Sequence, residues 1–280
     1  MTNAHPPAPH PAHPYANLAG KVVFITGGGT GIGAAVAEQL AAAGAQLLLM
    51  GRRSAPLQAI AERLAPAQVL IASGDAAHPP DVRQAVALAT ERFGGIDVLV
   101  ANAGGHGLGQ LTETSDASWA EATRLNLDTA FVCARETMPE LLRRRGNIVV
   151  LSSLAGHFAG PQVVGYVTMK HALIGLTRSL ARDYGPQGVR VNAVCPGWVR
   201  TAMADEQMQV LMDKHQLPDV DAAYALASRH VPLRRPASAD EVAHCVRFLA
   251  SSAAAMVTGT CLMVDGGASA VDLPTIAFAD

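Results

Sequence analysis

Lys21-Val-Val-Phe-Ile-Thr26 runs directly into Gly27-Gly-Gly-Thr-Gly-Ile-Gly33, and an alanine-rich stretch from Ala34 to Ala43 follows. The apolar run predicts a buried strand, the glycines predict a turn, and the alanines predict a helix. Glycines in such a turn let the backbone approach a pyrophosphate, whose charge is met by the free amides and positive end of the next helix. Because Gln46-Leu-Leu-Leu-Met50 supplies a second strand, the stretch predicts a βαβ unit that binds a dinucleotide.

The same alternation of strand and helix continues along the chain. Further apolar runs predict strands at Gln68 to Ala72, Ile96 to Ala101, Asn147 to Ser152 and Val189 to Val194. Helix-patterned stretches separate them, so the sequence predicts an α/β fold, a Rossmann-type doubly wound parallel sheet of about seven strands with helices on both faces. Ligands bind at the carboxyl ends of such strands. The residues predicted at that edge include Gly27, Asp75, Asn102, Ser153 and Pro196.

Length and composition limit the partners of the chain. Its 280 residues can bury one large core. Only 16% of the residues are charged and the net charge is −2, so no basic surface for nucleic acid is expected and the partner should be small. No apolar run reaches the 18 or so residues of a membrane span, and the N-terminus does not resemble a signal peptide. We therefore expect a cytoplasmic protein that does not enter a membrane.

Neither the cysteines nor the histidine-rich start of the chain predicts a metal site. Cys133, Cys195, Cys245 and Cys261 are widely spaced among apolar neighbours, which predicts reduced, buried thiols. Residues 1–16 are rich in proline and contain His5, His10 and His13 without a cysteine or carboxylate partner, which predicts a disordered tail. We divide the chain into this tail, a single domain over residues 17–268 and a C-terminal extension over residues 269–280.

Ser153, Tyr166 and Lys170 are the candidate chemical centre. If Tyr166 opens a helix, Lys170 lies one turn later on the same face, where its ammonium favours the ionised phenol. A hydroxyl at Ser153 could hold a substrate oxygen against the tyrosine, which suits the interconversion of carbonyl and alcohol. The alternative is a solvated surface pair, but Lys170 is one of only three lysines and lies in an apolar stretch that is typical of a buried helix.

Six motifs occur in order: Thr26 to Gly33, Asn102-Ala-Gly104, Asn126, Ser153, Tyr166-x-x-x-Lys170 and Pro196-Gly197. Over about residues 18–268 the chain resembles the short-chain dehydrogenase/reductase family. The resemblance implies a catalytic tetrad of Asn126, Ser153, Tyr166 and Lys170, in which Asn126 lies on a kinked helix and holds a water that connects Lys170 to solvent. The residue before Lys170 is Met169, where the family usually has a small serine or threonine, so local packing there should differ.

The glycine loop, the arginines after the second strand and the resemblance together give the candidate cofactor residues, and position in the chain gives the candidates for the substrate pocket. The cofactor residues are Gly27, Gly29, Thr30, Gly31, Ile32, Gly33, Arg52, Arg53, Asp75, Ala76, Asn102, Ala103, Gly104, Tyr166, Lys170, Pro196, Gly197, Val199 and Thr201. Among them, Asp75 is implied to accept from the adenine amino group. The pocket candidates, chosen by position, are His106, Leu154, His157, Phe158, Gln162, Val163, Trp198 and Met203. Two alternatives remain: Asn126 as an ordinary polar helix residue, and Asp75 as an N-cap near Pro79.

By the same resemblance, residues 202–235 are a substrate lid and the chain is a homotetramer. The lid is rich in methionine (Met203, Met208, Met212), which suits either an adaptable substrate surface or the apolar face of an amphipathic helix. The subunits are expected to pair through helices at about residues 116–142 and 164–184. Residues 269–280 either cover a neighbouring pocket or fray.

The end of the second predicted strand indicates which dinucleotide is bound. An NAD enzyme commonly has an acidic residue there, but this chain has Gly51, followed by Arg52 and Arg53. A guanidinium can bind a 2′-phosphate through charge-assisted hydrogen bonds, so NADP(H) is expected to be preferred, with NAD(H) possible. The alternatives are that both arginines are solvated, or that Arg52 stacks on adenine and tolerates either cofactor.

Together these features predict an NADP(H)-dependent oxidoreductase that interconverts a ketone and a secondary alcohol, with Tyr166 as general acid and base. One alternative is a 3-oxoacyl-carrier-protein reductase, but the positions of its carrier-binding arginines align with Met138 and Gln187 here. A second is an NAD-dependent alcohol dehydrogenase of the same family. The third is a non-catalytic dinucleotide-sensing protein, which the presence of both Tyr166 and Lys170 disfavours.

Overall fold

A single parallel sheet organises the protein. The computed structural model describes residues 18–65 and 67–278, so the predicted tail at residues 1–16 lies outside the described residues. Within these described residues, seven strands pair in the order β3-β2-β1-β4-β5-β6-β7, and every pairing is parallel. Their bounds are β1 Val22–Thr26, β2 Gln46–Gly51, β3 Val69–Ser73, β4 Val98–Ala101, β5 Asn147–Leu151, β6 Arg190–Pro196 and β7 Cys261–Val264. The predicted doubly wound α/β fold is confirmed.

Helices cover both faces of this sheet. Their bounds are α1 Gly31–Ala42, α2 Ser54–Arg63, α3 Pro79–Phe93, α4 Asp116–Thr123, α5 Thr129–Arg144, α6 Val164–Tyr184, α7 Ala202–His215, α8 Val220–Ala227 and α9 Ala239–Ala250. Helices α1 and α9 bury residues such as Leu40 and Val246 in the core on one face. Helices α3, α5 and α6 bury Val82, Leu141 and Leu173 in the core on the other face. None of these helices is long and apolar enough to cross a bilayer.

Strand β1 shows why the sequences of the strands are continuous apolar runs. All five of its residues are buried, and successive side chains point to opposite faces. Val23 and Ile25 enter the core beside α1, whereas Val22 and Phe24 enter the core beside α5. Each fully buried side chain of this kind contributes about 1.5–3 kcal/mol. A strand covered on both faces therefore has no polar face, as parallel sheets require.

The observed element boundaries differ from the predicted ones by up to three residues. Helix α1 begins at Gly31 rather than Ala34, because the last residues of the glycine loop are already helical. Strand β4 begins at Val98 rather than Ile96. The Asp97 carboxylate there accepts from the amide of Val22 at 3.0 Å and from Arg144 at 2.8 Å, and it fixes the entry to the strand.

The predicted lid contains two helices, α7 and α8, which pack on each other around a small core of their own. That core contains Ala204, Met208, Ala223 and Tyr224. The Tyr224 hydroxyl donates to the Asp205 carboxylate at 2.8 Å and holds the pair together. Of the two interpretations of the methionines, the amphipathic one applies to Met208, which is buried inside the pair, while Met203 is exposed.

The C-terminal extension folds as short 3-10 turns at Ala268–Ala270 and Leu273–Phe278. Leu273 and Phe278 are largely exposed, and residues 279–280 lie outside the described residues. The extension therefore buries little of its own apolar surface.

Candidate active site

A cavity of about 380 Å³ opens at the carboxyl edge of the sheet. Its lining includes most residues predicted to bind a dinucleotide: Gly27, Gly29, Thr30, Gly31, Ile32, Arg52, Arg53, Asp75, Ala76, Asn102, Ala103, Gly104, Tyr166, Lys170, Pro196 and Thr201. Gly33, Gly197 and Val199 are not part of this lining. Gly51, expected beside the 2′-phosphate, also lines the cavity. Further lining residues were not predicted from the sequence: Pro56, Leu57, Gly74, Gly105, Leu125, Thr129, Leu151, Ser152 and Ala202. Several of these are apolar or glycine and carry no distinctive sequence signal.

The glycine loop has the shape that an anionic ligand requires. Gly27 has φ +66°, and a Cβ at Gly33 would lie 2.1 Å from the carbonyl oxygen of Gly27, so only glycine fits there. Thr30 is the N-cap of α1, but its side chain makes no capping hydrogen bond, and the first turn contains no acidic residue. The amides at the start of α1 therefore remain available to an anion, and the loop fits a pyrophosphate.

Asn102 and Thr26 join the ends of β1 and β4 beneath the cavity. The Asn102 side-chain amide donates to the Thr26 carbonyl oxygen at 2.9 Å. The Thr26 hydroxyl oxygen in turn accepts from the backbone amides of Asn102 at 3.1 Å and Ala103 at 3.0 Å. The predicted Asn102-Ala-Gly104 motif thus positions the glycine loop as well as lining the cavity.

Lys170 is buried beside Tyr166. Its side chain lies on α6, is 5% exposed, and places Nζ 5.5 Å from the centre of the Tyr166 ring. The ammonium donates to the carbonyl oxygen of Leu151, the last residue of β5, at 3.0 Å. A buried lysine is costly unless its charge is hydrogen-bonded. The alternative of a solvated surface pair is therefore wrong.

Ser153 follows β5 and begins a short 3-10 helix, Leu154–Gly156. Its hydroxyl oxygen accepts from the amide of Ala155 at 3.1 Å, which leaves the hydroxyl proton available to another acceptor. Next to it, the Ser152 hydroxyl donates to the Lys170 carbonyl at 3.0 Å and ties this turn to α6. Ser152 lines the cavity, whereas Ser153 is not part of its lining.

Asn126 lies in a π-helical segment, Arg124–Asp128, between α4 and α5. It is 1% exposed; its amide donates to the His106 carbonyl at 3.2 Å, and its oxygen accepts from the Gly105 amide at 3.1 Å. A Cβ built at Gly104 would lie 3.5 Å from Asn126 Oδ1 and 3.7 Å from Lys170 Nζ, so both polar groups border one space. Besides an i−4 bond to the Ala122 carbonyl at 3.1 Å, Asn126 therefore also bonds the loop of Gly105 and His106.

Asp75 does not cap the following helix. The N-cap of α3 is His78, and the Asp75 Oδ1 atom instead accepts from the amide of Ala77 at 2.9 Å. The other carboxylate oxygen forms an ion pair with Arg124, 49 residues along the chain, which the sequence gave no reason to expect. Both oxygens of Asp75 are thus occupied within the protein, although each retains a lone pair for an adenine amino group.

Basic groups surround the end of the cavity where β2 ends at Gly51. Arg52 and Arg53 are exposed and line the cavity, and within the described residues neither guanidinium has an ion-pair partner. Arg124 is already paired with Asp75 and Glu121. Hydrogen bonds from Arg124 lower the pKa of Glu121, and the charge of Arg52 adds to the effect. Among residues 18–65 and 67–278, Arg52 and Arg53 therefore have no ion-pair partner at this end of the cavity.

Of the predicted pocket residues, only Met203 lines the cavity; His106, Leu154, His157, Gln162, Val163 and Trp198 do not. The His106 ring nitrogen lies 3.1 Å from the Gln207 amide nitrogen, which joins the loop after β4 to α7. Phe158, Trp198 and Met203 are 40–50% exposed. These three side chains therefore expose apolar surface next to the site.

One side-chain cluster was not predicted. His157, Cys195 and Cys261 place their ligand atoms within 4.8 Å of one another, although the three residues are far apart in sequence. The structure also corrects the expectation of buried thiols, because Cys245 and Cys261 are only partly buried; all four cysteines are free. Burial raises the pKa of the Cys195 thiol to about 12.

Comparison with known proteins decides the family. The sequence model of the family described as Enoyl-(Acyl carrier protein) reductase matches residues 27–269. Protein MoaE of Klebsiella aerogenes is 47% identical over 92% of this chain and 99% of its own length. The chain belongs to the short-chain dehydrogenase/reductase family. Meso-2,3-butanediol dehydrogenase of Serratia marcescens is 34% identical over 90% of this chain and 96% of its own length.

A solved short-chain dehydrogenase/reductase structure has the same architecture. L-sorbose reductase from Gluconobacter frateurii, complexed with NADPH and L-sorbose, aligns with a TM-score of 0.85 and 30% identity over 90% of this chain and 97% of that one. As a member of this family, the protein is an oxidoreductase that acts on CH–OH and C=O groups with a nicotinamide dinucleotide. The predicted family and enzyme class are confirmed.

Proposed function

We propose that the protein is an NADP(H)-dependent oxidoreductase that interconverts a free ketone and a secondary alcohol. The observation that carries this proposal is the buried Lys170 ammonium beside Tyr166 in the wall of the cavity. A proton donor, a cation next to it and a glycine loop that fits a pyrophosphate all border one space. That combination suits hydride transfer coupled to proton transfer.

Each polar residue of the proposed tetrad has a separate role. When bound, the nicotinamide supplies or accepts the hydride. Tyr166 donates a proton to the substrate oxygen during reduction and removes it during oxidation. Ser153 donates a hydrogen bond to that oxygen, since its own hydroxyl proton is uncommitted. Lys170 stabilises the phenolate and binds the nicotinamide ribose, and the π-helical segment at Asn126 holds a water that returns protons to Lys170.

The charges at the end of β2 support a preference for NADP(H). Gly51 leaves no carboxylate to repel a 2′-phosphate, and Arg52 and Arg53, at the same end of the cavity, have no ion-pair partner in the part of the chain that the structure describes. We infer that Arg52 binds the phosphate and that Asp75 accepts from the adenine amino group beside Arg124. NAD(H) remains a usable cofactor, because the remainder of the predicted site does not depend on the phosphate.

We propose that residues 17–268 form the catalytic domain, and that residues 202–235 form a lid in which α7 and α8 move as one unit around their shared core. The link between His106 and Gln207 holds the lid against the site. Met203, Phe158 and Trp198 supply apolar contacts with the substrate.

We infer that carrier-bound substrates are disfavoured, because the positions aligned with the carrier-binding arginines have no positive charge. Met138 is 6% exposed in the core and carries no charge that could bind an acidic carrier. Arg135 is exposed one turn earlier on α5 and stacks on Phe131 at 5.5 Å. The preference for free substrates therefore rests on two uncharged residues at the aligned positions, the buried Met138 and the exposed Gln187. A non-catalytic role is disfavoured by the intact Tyr166 and Lys170.

Two further features complete the proposal. We propose a homotetramer that pairs through α4, α5 and α6, because Phe131 exposes 45% of its surface on α5. We also propose a reducing compartment, the cytoplasm, because all four cysteines are free.

A substrate screen tests this function. The purified protein is assayed with a panel of free ketones and secondary alcohols, with NADPH or NADH and with the oxidised cofactors. Turnover of a ketone or alcohol with higher kcat/KM for NADPH supports the proposal. A much higher rate on an acyl-carrier thioester than on every free ketone, or no turnover in a protein that binds NADPH, would reject it.

A further inference from the structure

The cluster of His157, Cys195 and Cys261 lies beside the proposed catalytic serine and has no part in the chemistry described above. Sheet register explains how the two thiols meet. Ala193 pairs with Cys261 and Cys195 pairs with Met263, so the two cysteines are diagonal neighbours on β6 and β7 with side chains on the same face. His157 reaches them from the turn after β5, with Nε2 3.7 Å from Cys195 Sγ.

We propose that His157, Cys195 and Cys261 form a binding site for one thiophilic d10 cation such as Zn²⁺. A tetrahedral zinc ion, with Zn–S bonds of about 2.3 Å and Zn–N bonds of about 2.0–2.1 Å, holds its ligand atoms about 3.5–3.8 Å apart. The three ligand atoms already lie within 4.8 Å of one another, so shifts of about 1 Å complete the geometry. The site departs from the sequence-based expectation of no metal.

The composition of the cluster selects the kind of ion. Two sulfurs and one imidazole favour Zn²⁺ and other soft ions over Mg²⁺ and Ca²⁺, which prefer oxygen ligands. Binding converts both thiols to thiolates and releases two protons to solvent, so that a divalent ion leaves the cluster neutral. His157 is exposed and Cys261 is partly buried, which gives the ion a path to the buried Cys195 and leaves its fourth position to water.

Occupancy of this site should act on turnover through Ser153. The Ser152 amide donates to the carbonyl oxygen of Val194, the residue before Cys195, at 2.9 Å and so joins the strand of Cys195 to this turn. His157 closes the short helix that Ser153 begins, and its amide bonds to the Leu154 carbonyl at 3.0 Å. An ion that draws His157 and Cys195 together therefore moves the turn that positions the Ser153 hydroxyl. We infer that bound zinc inhibits the enzyme.

Cobalt titration of the reduced full-length protein tests the site without using activity. Co²⁺ takes the same geometry as Zn²⁺, and thiolate ligands give it a charge-transfer band that imidazole alone does not give. The band therefore separates this cluster from His5, His10 and His13, which are also potential ligands. We expect one equivalent of Co²⁺ to develop the band and one equivalent of Zn²⁺ to abolish it.

Two cysteine variants test whether the cobalt band and the inhibition by Zn²⁺ depend on this cluster. Cys261→Ala should lose the band and bind the ion at least tenfold more weakly, whereas Cys245→Ala, which changes a partly buried thiol outside the cluster, should behave like the wild type. Dinucleotide binding by both variants reports that they are folded. In the turnover assay, Zn²⁺ should lower the wild-type rate at least tenfold, and the ratio of rates with and without Zn²⁺ should approach one in Cys261→Ala.

The wild-type titration alone can overturn the proposal, even if Cys261→Ala fails to fold. No charge-transfer band at stoichiometric Co²⁺, or an unchanged band in folded Cys261→Ala, would reject the site. Loss of two titratable thiols in air without any cobalt band would assign the pair to a disulfide instead. A band with unchanged turnover in Zn²⁺ would contradict the inhibition through Ser153.

Discussion

Lys170 lies one helical turn beyond Tyr166, with Nζ 5.5 Å from the centre of the tyrosine ring and 3.0 Å from the carbonyl oxygen of Leu151. Strand β5 thus fixes the cation that α6 brings beside the phenol. Because the ammonium is buried and held from two elements, its charge acts on Tyr166 with little screening by solvent.

Replacing this cation should slow turnover strongly. We expect Lys170→Met to lower kcat/KM by about 10²–10⁴, the usual contribution of general acid–base catalysis, since Tyr166 then lacks its stabilising charge. The matched control is Lys214→Met, which makes the same change at an exposed position on α7 and should have little effect. Steady-state kinetics measure kcat/KM for both variants. Equal values would show that the Lys170 ammonium has no catalytic role.

The helix of Tyr166 and Lys170 and the glycine loop could be predicted from the sequence, because short local patterns determine both. The apolar stretch around Lys170 predicted a buried helix, and the glycines after β1 predicted the loop that only glycine at position 33 allows. Contacts between distant segments were not predictable in the same way. The Asp75–Arg124 ion pair joins residues 49 positions apart. Cys195 and Cys261 of the proposed metal site are brought together only by the register of β6 with β7.

Cofactor preference should depend on Arg52. A hydrogen bond to a charged group contributes roughly 1.5–3 kcal/mol, so Arg52→Ala should weaken NADPH binding by about ten- to a hundredfold and leave NADH binding almost unchanged. Gly51→Asp should reverse the preference, because a carboxylate repels the 2′-phosphate. Fluorescence titration with each reduced cofactor measures both effects. Equal weakening of NADPH and NADH by Arg52→Ala would instead mean that the guanidinium stacks on adenine.

The proposed tetramer should depend on the exposed face of α5. Phe131 is 45% exposed and lies beneath the Arg135 guanidinium at 5.5 Å. Phe131→Glu places a charge at the proposed interface and should dissociate tetramers into smaller species at micromolar concentration, as measured by light scattering. Val210→Glu on α7 is the control, since it changes an equally apolar exposed position outside that face. A wild-type monomer would contradict the assembly.

Acid stability should depend in part on Asp265. Partial burial opposes its ionisation, but hydrogen bonds from the Ser269 side chain, the Ser269 amide at 2.8 Å and the Gly267 amide at 3.0 Å outweigh it and lower the pKa of the carboxyl. A carboxylate with a lowered folded-state pKa stabilises the protein above its unfolded pKa of about 3.9, and this contribution is lost as pH falls through the folded pKa.

The corresponding variant is Asp265→Asn, compared with Asp272→Asn as an exposed control. At pH 7 the free energy of unfolding in urea should be lower for Asp265→Asn than for the wild type, and the difference should shrink below about pH 3.9. A difference that stays constant with pH would assign the effect to packing rather than to ionisation.

The central claim is that Tyr166 transfers the proton in an enzyme that uses a nicotinamide cofactor. Tyr166→Phe removes one hydroxyl from a half-buried ring that lines the cavity and leaves the contacts of the ring in place. With the best substrate from the screen, NADPH oxidation is followed by absorbance, and NADPH affinity is measured on the same samples. We predict unchanged NADPH affinity and a fall in kcat of at least about a hundredfold. A variant that turns over at the wild-type rate would contradict the account.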